Sequence, residues 1–373
     1  MEKAGIEIDW KKRLKSAELG DIHAKVLNSG RLSFEDGVTL FKCSDLNSVG
    51  YLANLVRERK NGNTAWFIRN QHINHTNICR NQCRFCAFYR RKDQDGAYQM
   101  TVEEIFDAVK REKDKPISEI HIVGGLNPDL SFEFYLKMLR GIREIRPDVH
   151  IQAFTCVEAA WLAEQAGISL EAALTALKDA GLGSIPGGGA EVFSERLRKD
   201  YWSRKLSGDE WLRVAGTAHK LGIPTNATIL YGHLETTEER VNHLIRLREQ
   251  QDKSGGFKAF IPLAFHSDNT DLKDIPPTHG SDDLRMLAVS RLMLDNFDHI
   301  KAFWVMLTPQ LAALSLSYGT DDIDGTVTEE KITHMAGART PSALTVDELV
   351  SLIRVAGREP VERDTLYNKI RQY

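Results

Sequence analysis

The chain has few cysteines, few prolines, no long apolar run and no excess of positive charge, and each shortage removes a class of protein. Five cysteines in 373 residues cannot pair evenly, and a disulfide framework belongs to small secreted chains. The apolar runs, AFIPLAF among them, fall far short of the roughly 20 residues that a membrane helix needs. The opening MEKAGIEIDWKKRLK has no apolar leader core. No membrane partner and a cytoplasmic location are therefore expected, in a reducing compartment that suits free thiols. With a formal net charge of -3 there is no basic footprint for nucleic acid, so a small-molecule partner is expected. Neither a repeat, a low-complexity tract nor a Pro-rich linker divides the chain.

Three of the five cysteines lie together in CRNQCRFC, where Cys79, Cys83 and Cys86 have a C-x3-C-x2-C spacing. Three thiols on one tight loop can converge on a single metal centre. A structural zinc site needs four ligands, usually two separated pairs, and the fourth would have to come from His72, His75 or a distant residue. Such a zinc-stabilised, non-catalytic binding module is the alternative from outside the enzymes. A 4Fe-4S cluster suits the spacing better, because three irons take cysteine while the fourth stays open for another ligand. Cys43 and Cys156 read as small buried residues.

The rest of the chain reads as α/β. Up to about Gly62 it is helical, with Asp45 capping a helix whose Leu46, Val49, Leu52, Ala53 and Val56 form one apolar stripe. From Thr64 on, apolar or β-branched runs alternate with capped amphipathic helices. The candidate strands are AWFIRNQHI from Ala65, EIHIVGG from Glu119, HIQAFTC from His150, GSIPGG from Gly183, TNATILYG from Thr225, FKAFIPLAF from Phe257, IKAFWVM from Ile300 and LSLSYG from Leu314. Helix starts are read at Thr101, Ser131, Ser169, Thr237 and Ser281. Eight strands with helices between them predict a (βα)8 TIM-type barrel with right-handed crossovers. The expected layout is an N-terminal helical extension over 1–63, the barrel over 64–320, and a C-terminal loop and helical extension over 321–373 packed on the barrel. In that last part, DDIDGTV reads as a solvated acidic turn and LTVDELVSLIRVAG as a helix.

In such a barrel the working residues lie on loops after the strands. That rule makes His72, His233 and His266 site candidates, and leaves His121, His150 and His299, near strand starts, as structural. The cysteine loop follows the first strand and belongs at the barrel mouth. Gly124-Gly125 follows the second strand, where paired glycines allow close approach of a ligand to the backbone. PGGGAE, after the fourth strand, has the wrong spacing for a dinucleotide fingerprint and reads as a loop carrying Glu191 to the mouth.

The cysteine loop after the first strand, with Phe85 just before the third cysteine, resembles the signature of the radical S-adenosylmethionine (SAM) superfamily. The longer runs NHTNICRNQCRFCAFYR, GGLNPDL, PGGGAEVF, YGHLETTEERVNHLIRLREQQDKSGGFKAFIPLAFHSDN and DDIDGTVTEEKITHMAGA resemble the branch of menaquinone biosynthesis that passes through futalosine. Within it, HIQAFTCVE and LDNFDHIKAFWVML are most similar to the aminofutalosine synthase family. The nearest enzyme alternative is the cyclic dehypoxanthine futalosine synthase family of the same pathway. Deazaflavin-cofactor synthases are more distant.

The resemblance implies a 4Fe-4S cluster on Cys79, Cys83 and Cys86, and SAM as a consumed co-substrate. It implies addition of the 5'-deoxyadenosyl radical to the enol ether of 3-[(1-carboxyvinyl)oxy]benzoate, with rearrangement and loss of the carboxyl carbon. A low-potential electron donor such as flavodoxin or ferredoxin is implied as well. Gly124 and Gly125 stand where the superfamily contacts the SAM amino group, but Leu126 replaces the usual third-position glutamate, so only backbone contacts carry over. Phe85 is placed to contact adenine. Thr155, Glu158 and Glu191 are candidates for the ribose hydroxyls or the amino group, and Arg198 for the SAM carboxylate. The two substrate carboxylates call for donors, of which Arg69, His72 and His233 are best placed by the strand-end rule. No general acid or base is singled out.

Overall fold

In the computed structural model, which describes residues 8–373, eight parallel strand positions close into a barrel. The first seven residues lie outside the described ones, and with them half of the stretch read for a leader and the start of the expected 1–63 extension. The strands are β1 (Thr64–Ile68), β2 (Asn70–Ile73), β3 (Glu119–Ile122), β4 (His150–Ala153), β5 (Thr225–Tyr231), β6 (Phe257–Ala264), β7 (His299–Ile300), β8 (Asp322–Gly325), β9 (Glu359–Arg363) and β10 (Lys369–Gln372). Strands β1 and β2 are one predicted strand broken at Arg69. In-register parallel pairing joins β2 to β3 to β4. The fourth position is reduced to Ser184, which bridges Gln152, and Ile185, which bridges Thr225. The circuit then runs through β5, β6 and β7, crosses to β8 at Lys301 and Asp322, and returns to β1.

Two expected strands are corrected. IKAFWVM is a strand only at its start, because Trp304–Leu307 turns into a helix that lets the Trp304 indole donate to the Gly325 carbonyl at 2.8 Å. A short apolar run does not distinguish a strand from a buried helix. LSLSYG is not the eighth strand. Thr308 caps a helix over Pro309–Ser315, with proline at its first position, where its missing N–H costs nothing.

The eighth strand is instead Asp322–Gly325, from the stretch read as a solvated acidic turn. Asp321 just before it and the two acids within it each meet a cation supplied by a distant part of the chain. Asp321 pairs with Arg291 at 2.5 Å, Asp322 with Arg363 at 2.6 Å, and Asp324 with Lys301 at 3.6 Å. The barrel therefore runs past the boundary expected at residue 320.

The expected helix of the C-terminal extension is present over Val346–Val355, but β9 and β10 follow it. Strand β9 pairs with β1 along the edge where β3 has not yet begun, and β3 takes over at β2. At the N-terminal end, Asp45 caps the helix Leu46–Asn61 as read, and Val49, Leu52 and Ala53 of its stripe are fully buried. That helix packs on Gly280–Met293 of the outer ring. No helix among the described residues is long and apolar enough to cross a membrane.

Candidate active site

Strand parity builds the site. Alternate residues of a barrel strand point inward, so Glu119, His121 and Val123 on one strand and Ile261, Leu263 and Phe265 on another face the same interior. Their upper part opens into a cavity of about 340 Å³, within the range of small-molecule sites. Loops after the strands close its mouth, and Cys79, Cys83 and Cys86 all line it, with Phe85, Gly124, Gly125, Thr155, Glu158 and Glu191.

The donor set fits a cluster. Three thiols reach one cavity, and burial pushes the Cys83 and Cys86 thiols up in pKa, so thiolates there need a metal's positive charge to stabilise them. Among the described residues, no three Cys, His, Asp or Glu side chains converge on a single-ion site, which a structural zinc would require. His75, one proposed fourth zinc ligand, is buried outside the cavity lining, with neither ring nitrogen hydrogen-bonded.

The glycine pair is fixed by close packing. A Cβ on Gly125 would come within 2.2 Å of the Ile78 carbonyl oxygen and 3.1 Å of the Cys79 Cβ, and one on Gly124 within 2.5 Å of the His75 ring. Their N–H groups are already used: Gly124 donates to Glu158 at 3.0 Å and Gly125 to the Thr76 carbonyl at 2.8 Å. Among the described residues neither glycine carbonyl accepts a hydrogen bond, so these oxygens are what the pair offers a ligand.

Thr155 and Glu158 form the capping box of the helix Cys156–Ala166. One Glu158 oxygen accepts from Thr155 N–H at 2.6 Å and the other from Gly124 N–H, so its first role is to tie this helix to the glycine turn. Burial raises its pKa to about 7. Glu191 is ion-paired with Lys205, a residue that the sequence reading missed. The Lys205 ammonium also lies 5.3 Å from the Phe85 ring centre and close enough to Cys83 to favour its thiolate. Lys205 sits on an irregular turn after a short helix, where no motif marks it.

Three expected ligands are corrected. Arg198 does not line the cavity. It pairs with Glu195 at 2.9 Å and donates to the carbonyls of Ser203 and Lys205 at 3.1 and 3.4 Å, so it braces the turn that carries Lys205. Arg69 points outward from the break between β1 and β2, to Glu362 at 3.0 Å and the Tyr373 hydroxyl at 2.6 Å. His233 is buried between Trp202 and Phe265 and faces Glu235 at 3.2 Å, outside the cavity lining.

His72 lines the cavity as expected, and so does His266. His121, read as structural, lines it too. The β2–β3 register sets it opposite His72, and the two rings stack 4.4 Å apart and 3° from parallel. Burial holds both imidazoles below their ordinary pKa. His150 and His299 keep structural roles, bonded to Ser184 at 2.8 Å and Asp321 at 2.6 Å. Lys301, Glu119 and Asp324 complete the polar floor. Lys301 lies at the start of the predicted strand IKAFWVM, where the strand-end rule reads a residue as structural; it reaches the site because the observed strand ends at Ile300.

Residues 73–247 match the radical SAM superfamily, and residues 254–372 match the CofH/MqnC C-terminal region. The chain is 48% identical over 364 residues to an aminodeoxyfutalosine synthase of Thermus thermophilus, covering 96% of this chain and 97% of that one. It is 41% identical to an aminodeoxyfutalosine synthase of Streptomyces coelicolor, covering 95% and 94%. A 5-amino-6-(D-ribitylamino)uracil–L-tyrosine 4-hydroxyphenyl transferase of Archaeoglobus fulgidus is 40% identical, over 85% of this chain and 92% of its own. Among solved structures, methylornithine synthase (PylB) superposes with a TM-score of 0.73 at 18% identity, covering 91% of this chain and 97% of that one. The hydrogenase maturase HydG gives 0.72 at 16%, covering 94% and 79%. At those identities the likeness speaks for the fold alone.

Proposed function

We propose a reaction for a chain that belongs to the radical SAM superfamily and, within it, to the aminodeoxyfutalosine synthase family: it joins the 5'-deoxyadenosyl group of SAM to the enol ether of 3-[(1-carboxyvinyl)oxy]benzoate. Rearrangement and loss of one carboxyl carbon then give 6-amino-6-deoxyfutalosine, with methionine released. The observation that carries this reading is the near-full-length identity to two synthases of that name, in a chain whose three loop cysteines open onto one barrel cavity. Cys79, Cys83 and Cys86 would hold the 4Fe-4S cluster. When bound, the cluster supplies the electron that opens the carbon–sulfur bond of SAM.

The chain's own residues bind and orient the two reactants and keep water away. The Gly124 and Gly125 carbonyls are free to accept the SAM ammonium, and Lys205 replaces Arg198 as the cation suited to its carboxylate. Thr155 and Glu191 lie within reach of a ribose in the same cavity, and Phe85 offers its ring to adenine. Leu230, Ile261, Leu263 and Phe265 give the cavity an apolar wall that excludes water around a reactive carbon centre. A low-potential donor such as flavodoxin or ferredoxin supplies the electron.

A second reading rests on the 40% identity to the archaeal 4-hydroxyphenyl transferases, whose name gives L-tyrosine and the ribitylaminouracil as substrates. A third, the dehypoxanthine futalosine cyclase, rests on the match to the CofH/MqnC C-terminal region. Anaerobic reconstitution with iron and sulfide, followed by a reductant, SAM and each candidate substrate in separate reactions, distinguishes the three by mass spectrometry. An adduct of the carboxyvinyloxybenzoate containing the whole adenosyl group supports the synthase reading. Free 5'-deoxyadenosine with no such adduct sinks it and passes the assignment to whichever other substrate is consumed.

A further inference from the structure

The cavity has two cationic groups, and they differ in one respect. The Lys205 ammonium is paired closely with Glu191 and sits by the cysteine loop. Lys301 lies deeper, on the barrel floor beside Glu119, His72 and His121. Its side chain is only 9% exposed, yet among the described residues its ammonium donates no hydrogen bond. Its nearest anion is the Asp324 carboxylate at 3.6 Å, beyond direct hydrogen-bonding distance. An ammonium carries three donors, and leaving them unused in a buried site is costly unless a ligand takes them. The floor is built to hold this group still: Lys301 N–H donates to the Phe260 carbonyl at 2.9 Å, and its backbone bridges Asp322.

We propose that Lys301 binds the benzoate carboxylate of the substrate, with the stacked His72 and His121 rings beside it and Asp324 as the counter-ion when the site is empty. This rests on the synthase reading above and names which end of the substrate goes where. The enol ether has to face the SAM held at the cysteine loop. The carboxylate on the benzene ring, which survives the reaction, then points away from that loop to the floor, where Lys301 is the cation. Asp324 is pushed towards its protonated form by burial, which lowers the cost of bringing a second carboxylate close. The lysine end of the floor thus selects an anionic ring substituent and takes no part in bond making.

The test compares two ligands on two proteins by calorimetry, using unreduced, cluster-containing enzyme saturated with SAM. One ligand is 3-[(1-carboxyvinyl)oxy]benzoate and the other is 2-phenoxyacrylate, which lacks only the ring carboxylate. The wild type is expected to bind the first at least 30-fold tighter, and Lys301→Met is expected to bring the two within about threefold of one another. Removing one member of a buried charge pair can unfold a protein, so the charge-balanced Lys301→Met/Asp324→Asn double variant is measured in parallel and is expected to lose the same preference. A preference that persists in either folded variant overturns the assignment of Lys301 while leaving the synthase reading intact. A wild type that makes the adenosyl adduct yet shows no preference overturns it equally. A wild type that binds neither compound overturns the synthase reading itself, and this inference with it.

Discussion

Arg198 donates hydrogen bonds to the carbonyls of Ser203 and Lys205, so the arginine expected to meet the SAM carboxylate instead braces the turn that carries the lysine placed to do so. The Lys205–Glu191 pair it supports is buried at the cavity wall, with side-chain exposures of 12% and 10%. Breaking one member of a buried pair leaves an uncompensated charge and costs about 3–5 kcal/mol, whereas removing both together is far milder.

Lys205→Met is therefore expected to lower stability in urea unfolding by about 3 kcal/mol, and to weaken SAM binding at least tenfold. Lys205→Met/Glu191→Gln should recover most of the stability but none of the SAM affinity. If the double variant regains both, the lysine serves only the fold.

Arg69→Ala is expected to leave the affinity for the carboxyvinyloxybenzoate unchanged. Arg69 ties β1 to Glu362 and Tyr373 at the outer edge of the sheet, a partly buried contact whose loss costs about 1–3 kcal/mol. A fall in thermal midpoint with unaltered substrate binding fits the structure. Weaker substrate binding in a variant of normal stability would return Arg69 to the site.

Gly125→Ala should lose cluster content before it loses the barrel. The new Cβ would lie 2.2 Å from the Ile78 carbonyl oxygen, so the cysteine loop has to move. The expected result is an iron content well below wild type after identical reconstitution, with an unchanged far-ultraviolet dichroism spectrum. Full iron loading in Gly125→Ala would show that the loop yields without consequence.

His75 gives the molecule an acid sensitivity with a defined sign. Burial lowers its pKa from 6.5 to about 4, and no hydrogen bond supports either ring nitrogen. The folded state therefore binds fewer protons than the unfolded state between these two values. Stability from this group is fully present above pH 6.5 and is lost as the pH falls towards 4, by about 3 kcal/mol in all. His75→Phe, if it folds, should flatten the stability profile measured by denaturant unfolding between pH 6.5 and 4. An unchanged slope would mean that His75 is solvated in solution.

Features that depend on local spacing are legible in the residues alone. The C-x3-C-x2-C run placed three thiols on one loop, and capping residues such as Asp45, Thr101, Ser131 and Ser169 set helix starts where they are found. Alternation of strands and helices gave a barrel because local hydrogen bonding and apolar periodicity are properties of neighbouring residues. The rest depends on contacts between distant parts of the chain. DDIDGTV reads as a solvated turn until Arg291, Arg363 and Lys301 arrive to pair Asp321, Asp322 and Asp324, and a buried charge depends on partners that no local pattern contains. His121 joined the site through cross-strand register with His72, and Lys205 through a turn held by Arg198. Arg69 and His233 left it because Glu362 and Glu235, remote or adjacent in the chain, hold their side chains outside the cavity.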